Sequence, residues 1–229
     1  MVAHPITDAM DEAIIPFRLL THPFYRAWQA GTLTRDDLRT YASQYWHQVD
    51  AFPTYLGVLA DRLPDPEARK LLLDNLSDEL DQDHRGMWLA FASSVGASET
   101  DVRSGHPEPE TETCVRTFRD ATTVAPLSFA LGTIYGYESQ TPAVAATKVA
   151  GLREHYGIDG TGVNYFELHA DLDVEHSRDI GRALATVSGG EDDAKVACAG
   201  ARAGAQAICG LLDGVARVRG ISSPVDGGS

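Results

Sequence analysis

Apolar residues recur along this chain at intervals of three and four, while alternation at two is nearly absent, so the pattern predicts helices throughout. Residues 7 to 20 place Ile14, Ile15, Phe17, Leu19 and Leu20 behind an acidic first turn. A short helix is expected over 22 to 30, with Pro23 at its start, where a missing N–H costs little. Thr34 with Asp36 and Asp37 behind it reads as an N-cap with acids in the first turn. A long helix follows over 35 to 62, and Pro53 is expected to kink or end it. Pro64-Asp-Pro66 breaks that run, and the next helix covers 66 to 96. Residues 97 to 111 form a polar loop with two prolines. Helix resumes over 112 to 123, and Pro126 opens another that carries Phe129, Leu131, Ile134, Tyr135 and Tyr137. Thr141-Pro142 marks a kink or a restart, and that segment continues to Tyr156-Gly157. The last two helices cover 163 to 187 and 191 to 218, with a frayed tail at 222 to 229. Seven or eight helices with short connections imply an all-α, compact bundle, one domain over 1 to 221, with sites built between facing helices.

Composition narrows the function. A formal net charge of −14 argues against nucleic acid or an anionic membrane surface as a partner. No stretch approaches the roughly 18 apolar residues that span a bilayer, and no basic segment precedes an apolar one at the start of the chain. The three cysteines, Cys114, Cys198 and Cys209, contain no C-x-x-C pair and read as reduced thiols of a cytoplasmic protein.

The chemistry concentrates in His169-Ala-Asp-Leu-Asp173-Val-Glu-His176. At about 100° per residue, offsets of four and seven put His169, Asp173 and His176 within about 60° of one another on a helix. Two imidazoles and a carboxylate on one face make half of a nitrogen/oxygen metal site; the alternative is a solvated polar face. Glu138 ends an apolar run, as either a surface group or a buried acid with a partner. His84 lies on the stripe Leu73, Leu76, Leu80, Met87, Phe91 and should point inward, as a core residue or a ligand. Carboxylates and histidines without nearby thiols suit iron or manganese rather than structural zinc. Aromatics at Tyr25, Tyr41 and Tyr45 are core material by default, and Lys148 is a surface lysine unless it is buried.

The blocks His22-Pro-Phe-Tyr25, Tyr41-Ala-Ser-Gln-Tyr45, Ala51-Phe-Pro-Thr-Tyr55, Leu71 to Glu79, Tyr135-Gly-Tyr-Glu-Ser-Gln-Thr-Pro142, Lys148-Val-Ala-Gly-Leu and His169 to His176 carry a family resemblance. The chain resembles the haem-oxygenase-like dimetal oxidases, which share the TenA/PqqC-like fold, and within them the group of the Chlamydia protein associating with death domains. The resemblance implies six metal ligands: Glu79, His84, Glu138, His169, Asp173 and His176. It implies two metal ions, Fe(II)/Fe(II) or Mn/Fe, with O2 and an external reductant as co-substrates. Tyr25, Tyr41 and Tyr137 match tyrosines near the site, and Lys148 a lysine beside the metals. In that group one tyrosine is implied to be the source of para-aminobenzoate for folate synthesis, with the lysine as nitrogen donor. Other relatives oxidise an external amino acid or fatty acid, and metal-free relatives lack the full ligand set. The substrate is thus the protein's own tyrosine or a small molecule, and a homodimer is the candidate assembly. One departure stands out. The family separates the first Glu from its His by seven residues, whereas Glu79 and His84 are five apart, about 140° around an ideal helix. Either a bulge restores the phase, or Asp81 replaces Glu79; the upstream match favours Glu79.

Overall fold

A computed structural model describes residues 5–222, and among them every regular element is helical. The helices are α1 (Pro5–Ile14), α2 (Pro23–Gln29), α3 (Arg35–Arg62), α4 (Pro66–Asp81), α5 (His84–Ser94), α6 (Glu99–Ser104), α7 (Pro109–Val124), α8 (Leu127–Glu138), α9 (Thr141–Tyr156), α10 (Asn164–Val187) and α11 (Glu191–Arg219). The expected tail, apart from residue 222, lies outside the described residues.

Two expected segments hold an additional helix, and a third is cut short. The helix expected over 66 to 96 is two, α4 and α5, joined at Gln82–Asp83. The polar loop contains the short α6, whose N-cap Ser98 accepts from the Asp101 N–H. Pro16 interrupts the first segment, which continues as 3-10 turns over Ile15–Phe17 and Leu19–Thr21. Pro53, expected to kink or end α3, does not end it: the residue is buried, and the helix runs through it. Packing of α3 against α4, α5 and α7 outweighs the roughly 3 kcal/mol that an interior proline costs locally. Thr34 and Asp37 form the reciprocal capping box that starts this helix.

The tightest seam is α8 against α11. A Cβ on Gly132 or Gly136 would overlap the carbonyl oxygens of Ala197 and Ala201, and one on Gly200 or Gly204 those of Phe129 and Thr133. The glycines of each helix thus receive the backbone of the other, and Glu138, at the C-terminal end of α8, is carried on a fixed frame. Adding a methyl group here pushes backbone against backbone. Gly136→Ala is expected to destabilise the protein by about 2–3 kcal/mol, overcoming the helix-propensity gain of about 1 kcal/mol, as read by chemical denaturation. A neutral or stabilising result would show that the seam relaxes.

The core between these helices is strongly aromatic. Phe24, Tyr25, Trp28, Tyr41, Trp88 and Phe91 are fully buried; Phe24 stacks on Tyr41, and the other contacts are edge-on or tilted. No helix among the described residues is long and apolar enough to cross a membrane.

Candidate metal centre

Three helices and one helix start bring six buried ligand-type side chains into one region. Glu79 comes from the last turns of α4, His84 from the first residue of α5, Glu138 from the end of α8, and His169, Asp173 and His176 from α10. All six are at most 7% exposed. Buried carboxylates and imidazoles at this density need partners or a cation.

The first three meet closely. Ligand atoms of Glu79, His84 and His169 all lie within 4.8 Å of one another. Glu79 Oε2 is 2.7 Å from His84 Nδ1, and Glu79 Oε1 is 3.8 Å from His169 Nε2. His169 Nδ1 donates to the Tyr165 carbonyl at 2.7 Å, which leaves Nε2 to face the site. The second three centre on His176, whose Nδ1 is 3.5 Å from Asp173 Oδ1 and 4.0 Å from Glu138 Oε1. Its Nε2 faces Asp78 Oδ2 at 3.1 Å, so a half-exposed carboxylate stands behind the ring. Asn75, one turn before Glu79, donates to Glu138 Oε1 at 2.8 Å.

The five-residue spacing from Glu79 to His84 is resolved by a break between helices. α4 ends at Asp81, and Asp83 takes a left-handed conformation (φ 51°) as N-cap of α5, accepting from the Gly86 N–H. This turn rotates His84 back onto the Glu79 face, which an uninterrupted helix would not do. Asp81 is exposed and hydrogen-bonded by the Ser77 hydroxyl, away from the cluster.

Electrostatics match the geometry. Burial raises the Glu79 carboxyl, but its contacts with His169 and His84 outweigh this and hold it down at about 2. Glu138 is pushed up to about 8 by burial and then by the like charge of Asp173. Burial opposes protonation of His176, yet Asp173, Glu138 and Asp78 lift it to about 9. His84 Nε2 and Glu138 Oε2 are buried without a hydrogen-bond partner, and Nδ1 of His84 and of His176 face only the carboxylates of the cluster. Lone pairs converging with too few protons between them fit a cation-binding donor set, oxygen and nitrogen only, of the kind that takes iron or manganese.

A second buried group lies in the aromatic core. Lys148, from α9, is 5% exposed, and its Nζ donates to the Tyr41 hydroxyl at 2.6 Å. The Tyr41 and Tyr25 hydroxyls are 3.3 Å apart. The rings of Tyr25, Tyr41, Tyr45 and Phe166 surround the amine at 4.9–5.2 Å. Among the described residues no carboxylate pairs with Lys148, and burial lowers it from 10.5 to about 7. Burial also raises both phenols above their ordinary value.

Tyr25 and Tyr41, expected at the metals, meet each other and Lys148, and a series of ring contacts connects Tyr41 to His169. Tyr165 stacks on His169 with centroids 4.1 Å apart, Trp88 lies 5.0 Å from Tyr165 and 5.3 Å from Tyr45, and Tyr45 lies 5.2 Å from Tyr41. These rings link the two groups in one aromatic network. Tyr137 is closer to the cluster: it sits beside Glu138 in sequence, packs on Phe52, and faces Tyr45 and Tyr165. Sequence reasoning missed Tyr165, Trp88 and Asn75 as neighbours of the site. Tyr165 was within reach of it, one helical turn before His169 on the same face.

Comparison with known proteins agrees with this donor set. Residues 39–208 match the family model described as iron-containing redox enzyme. The chain belongs to this family. The relatives include proteins named 4-aminobenzoate synthase. The one from Chlamydia muridarum is 37% identical over 209 residues, covering 90% of this chain and 88% of the relative. The one from Nitrosomonas europaea is 34% identical over 227 residues, covering 94% and 92%. A solved TenA homologue from Pseudomonas syringae superposes with a TM-score of 0.82 at 16% identity, over 95% of this chain and 98% of that one, so the two share a fold. The chain is therefore an oxidoreductase with the haem-oxygenase-like helical fold, and its family uses iron.

Proposed function

We propose that this enzyme forms 4-aminobenzoate from its own chain, with Tyr25 or Tyr41 as the ring source and Lys148 as the nitrogen donor. The observation that carries the reading is the buried contact of Lys148 Nζ with the Tyr41 hydroxyl, itself 3.3 Å from that of Tyr25. An amine lowered to about 7 is uncharged in about half of the molecules at neutral pH, and there it has a free lone pair beside two phenols. Glu79, His84 and His169 would hold one metal ion, and Glu138, Asp173 and His176 a second, as Fe/Fe or Mn/Fe. Bound there, iron supplies oxidising power drawn from O2, with an external reductant providing the remaining electrons.

The chain's residues perform the rest. The aromatic walls exclude water from Lys148, which favours the neutral amine and keeps competing nucleophiles away from an oxidised ring. Tyr41 hydrogen-bonds both Lys148 and Tyr25, so a proton leaving either phenol has an adjacent acceptor. Proximity replaces substrate binding, since groups on one chain have a very high effective concentration. The free thiols fit the reducing cytoplasm.

The test is intact-protein and peptide mass spectrometry after Fe(II), O2 and reductant with no added substrate. Loss of a side chain from the Tyr25 or Tyr41 peptide, with about one 4-aminobenzoate released per chain, is expected. An unchanged protein that oxidises an added amino acid or fatty acid over many turnovers would replace this reading with an external-substrate oxygenase.

A further inference from the structure

The helix that carries Tyr25 is short and starts in an unusual way. α2 spans seven residues, Pro23–Gln29, and presents Phe24, Tyr25 and Trp28 to the core, each fully buried. So short a helix does not hold itself, because the first turn fixes several residues for few hydrogen bonds. Its N-cap is His22, whose Nδ1 accepts from the Phe24 N–H at 3.1 Å while its carbonyl accepts from Arg26. An imidazole can do this only when Nδ1 carries no proton. The other nitrogen, Nε2, lies 3.0 Å from Asp213 Oδ1, a residue of α11 distant by 191 positions. The carboxylate accepts, so it holds the ring proton on Nε2 and leaves Nδ1 bare. Burial opposes a second proton on the ring, in keeping with this neutral form.

We infer that Asp213 is a positioning residue for Tyr25: through the His22 tautomer it fixes the first turn of α2 and with it the approach of Tyr25 to Tyr41 and Lys148. The inference rests on the proposal that Tyr25 is consumed. Asp213 touches none of the reacting atoms. Its side chain is 70% exposed, facing the groove between α7 and α11, so substitution there need not disturb the core. What the position must supply is a hydrogen-bond acceptor rather than a charge. Asp213→Asn keeps an acceptor and should preserve the arrangement. Asp213→Lys offers only donors; these draw the Nε2 lone pair and drive the proton to Nδ1, where it opposes the Phe24 N–H.

The experiment compares the parent with Asp213→Asn, Asp213→Lys, His22→Asn and the double variant His22→Asn/Asp213→Lys, as full-length chains. Histidine-selective 15N labelling reads the tautomer, amide exchange at Phe24 reads the cap, and tyrosine 13Cζ labelling reads the Tyr25–Tyr41 hydrogen bond. In Asp213→Lys the tautomer should reverse, Phe24 exchange should rise about five- to tenfold, and the Tyr25 signal should shift. Where Tyr25 conversion is observed, it should slow about ten- to hundredfold. Asp213→Asn should behave as the parent. Asparagine caps a helix without help, so in the His22→Asn background Asp213→Lys should change nothing. An unchanged tautomer, Phe24 exchange and Tyr25 signal in Asp213→Lys would overturn the inference, as would an equal effect of that change in both backgrounds. Failure of the parent to lose Tyr25 would instead count against the proposed function, and the three spectroscopic readings would still decide this one.

Discussion

Replacing Glu79 with alanine is expected to leave the helices folded and to remove at least one metal ion per chain, while Asp81→Ala loads metal like the parent. Glu79 is the carboxylate that faces both His84 and His169, at 2.7 and 3.8 Å. Its removal takes away the anionic oxygens of a three-ligand cluster and leaves two imidazoles, a weaker and uncharged donor set. Alanine itself favours helix, so α4 should persist. Asp81 sits exposed at the end of α4, bound only by Ser77, and its loss should alter stability by about 0.5 kcal/mol or less. Metal content by elemental analysis after anaerobic loading separates the two variants. Equal metal content in Glu79→Ala and the parent would mean that α4 contributes no ligand.

Lys148→Met should stabilise the protein at neutral pH and abolish the proposed chemistry together. The fold holds this amine near 7, against 10.5 in an unfolded chain. Unfolding therefore takes up a proton between those values, and stability rises with pH from about 7 to about 10.5. Below about 7 the full cost of keeping an ammonium in the aromatic pocket is felt. That cost is on the order of 4 kcal/mol, offset by about 1 kcal/mol for the hydrogen bond to Tyr41 that methionine cannot make. Methionine fits a similar volume without a charge. The variant should melt about 6–12 °C above the parent near pH 6, with the gap narrowing toward pH 10. A constant difference across that range would show that Lys148 is not the source of the slope. Release of 4-aminobenzoate should fall to background, since the proposed nitrogen donor is gone.

The parts of the site that lie on one helix were legible in the sequence. His169, Asp173 and His176 share a face because helical spacing dictates it, and α10 is uninterrupted across them. Glu138 was ambiguous, because the end of an apolar run does not say whether the next residue faces solvent or a neighbouring helix. It is buried where Asn75 of α4 and His176 of α10 face it, neighbours far apart in the chain. The seam of α8 with α11 is carried by glycines at spacing four, whose meaning emerges only when both helices are placed together. The Glu79–His84 phase was unreadable for a different reason. Helical periodicity assumes an unbroken backbone, and one left-handed Asp83 supplies the correction. Lys148 looked like any surface lysine, since α9 has no clear apolar face against which to mark it as misplaced.

The close seam between α8 and α11 divides the protein into regions of unequal local stability. Where backbones touch, no small displacement is available, and separating the helices exposes both along their length. The two therefore belong to one cooperative unit, which opens only when the whole molecule does. The turn at Gln82–Asp83 is the opposite case: two residues, partly exposed, with one held in a conformation that costs about 1 kcal/mol or more. It can open without disturbing the seam. Glu138 thus belongs to the slowest-exchanging part of the molecule, and Glu79 and His84 flank one of its most easily opened joints.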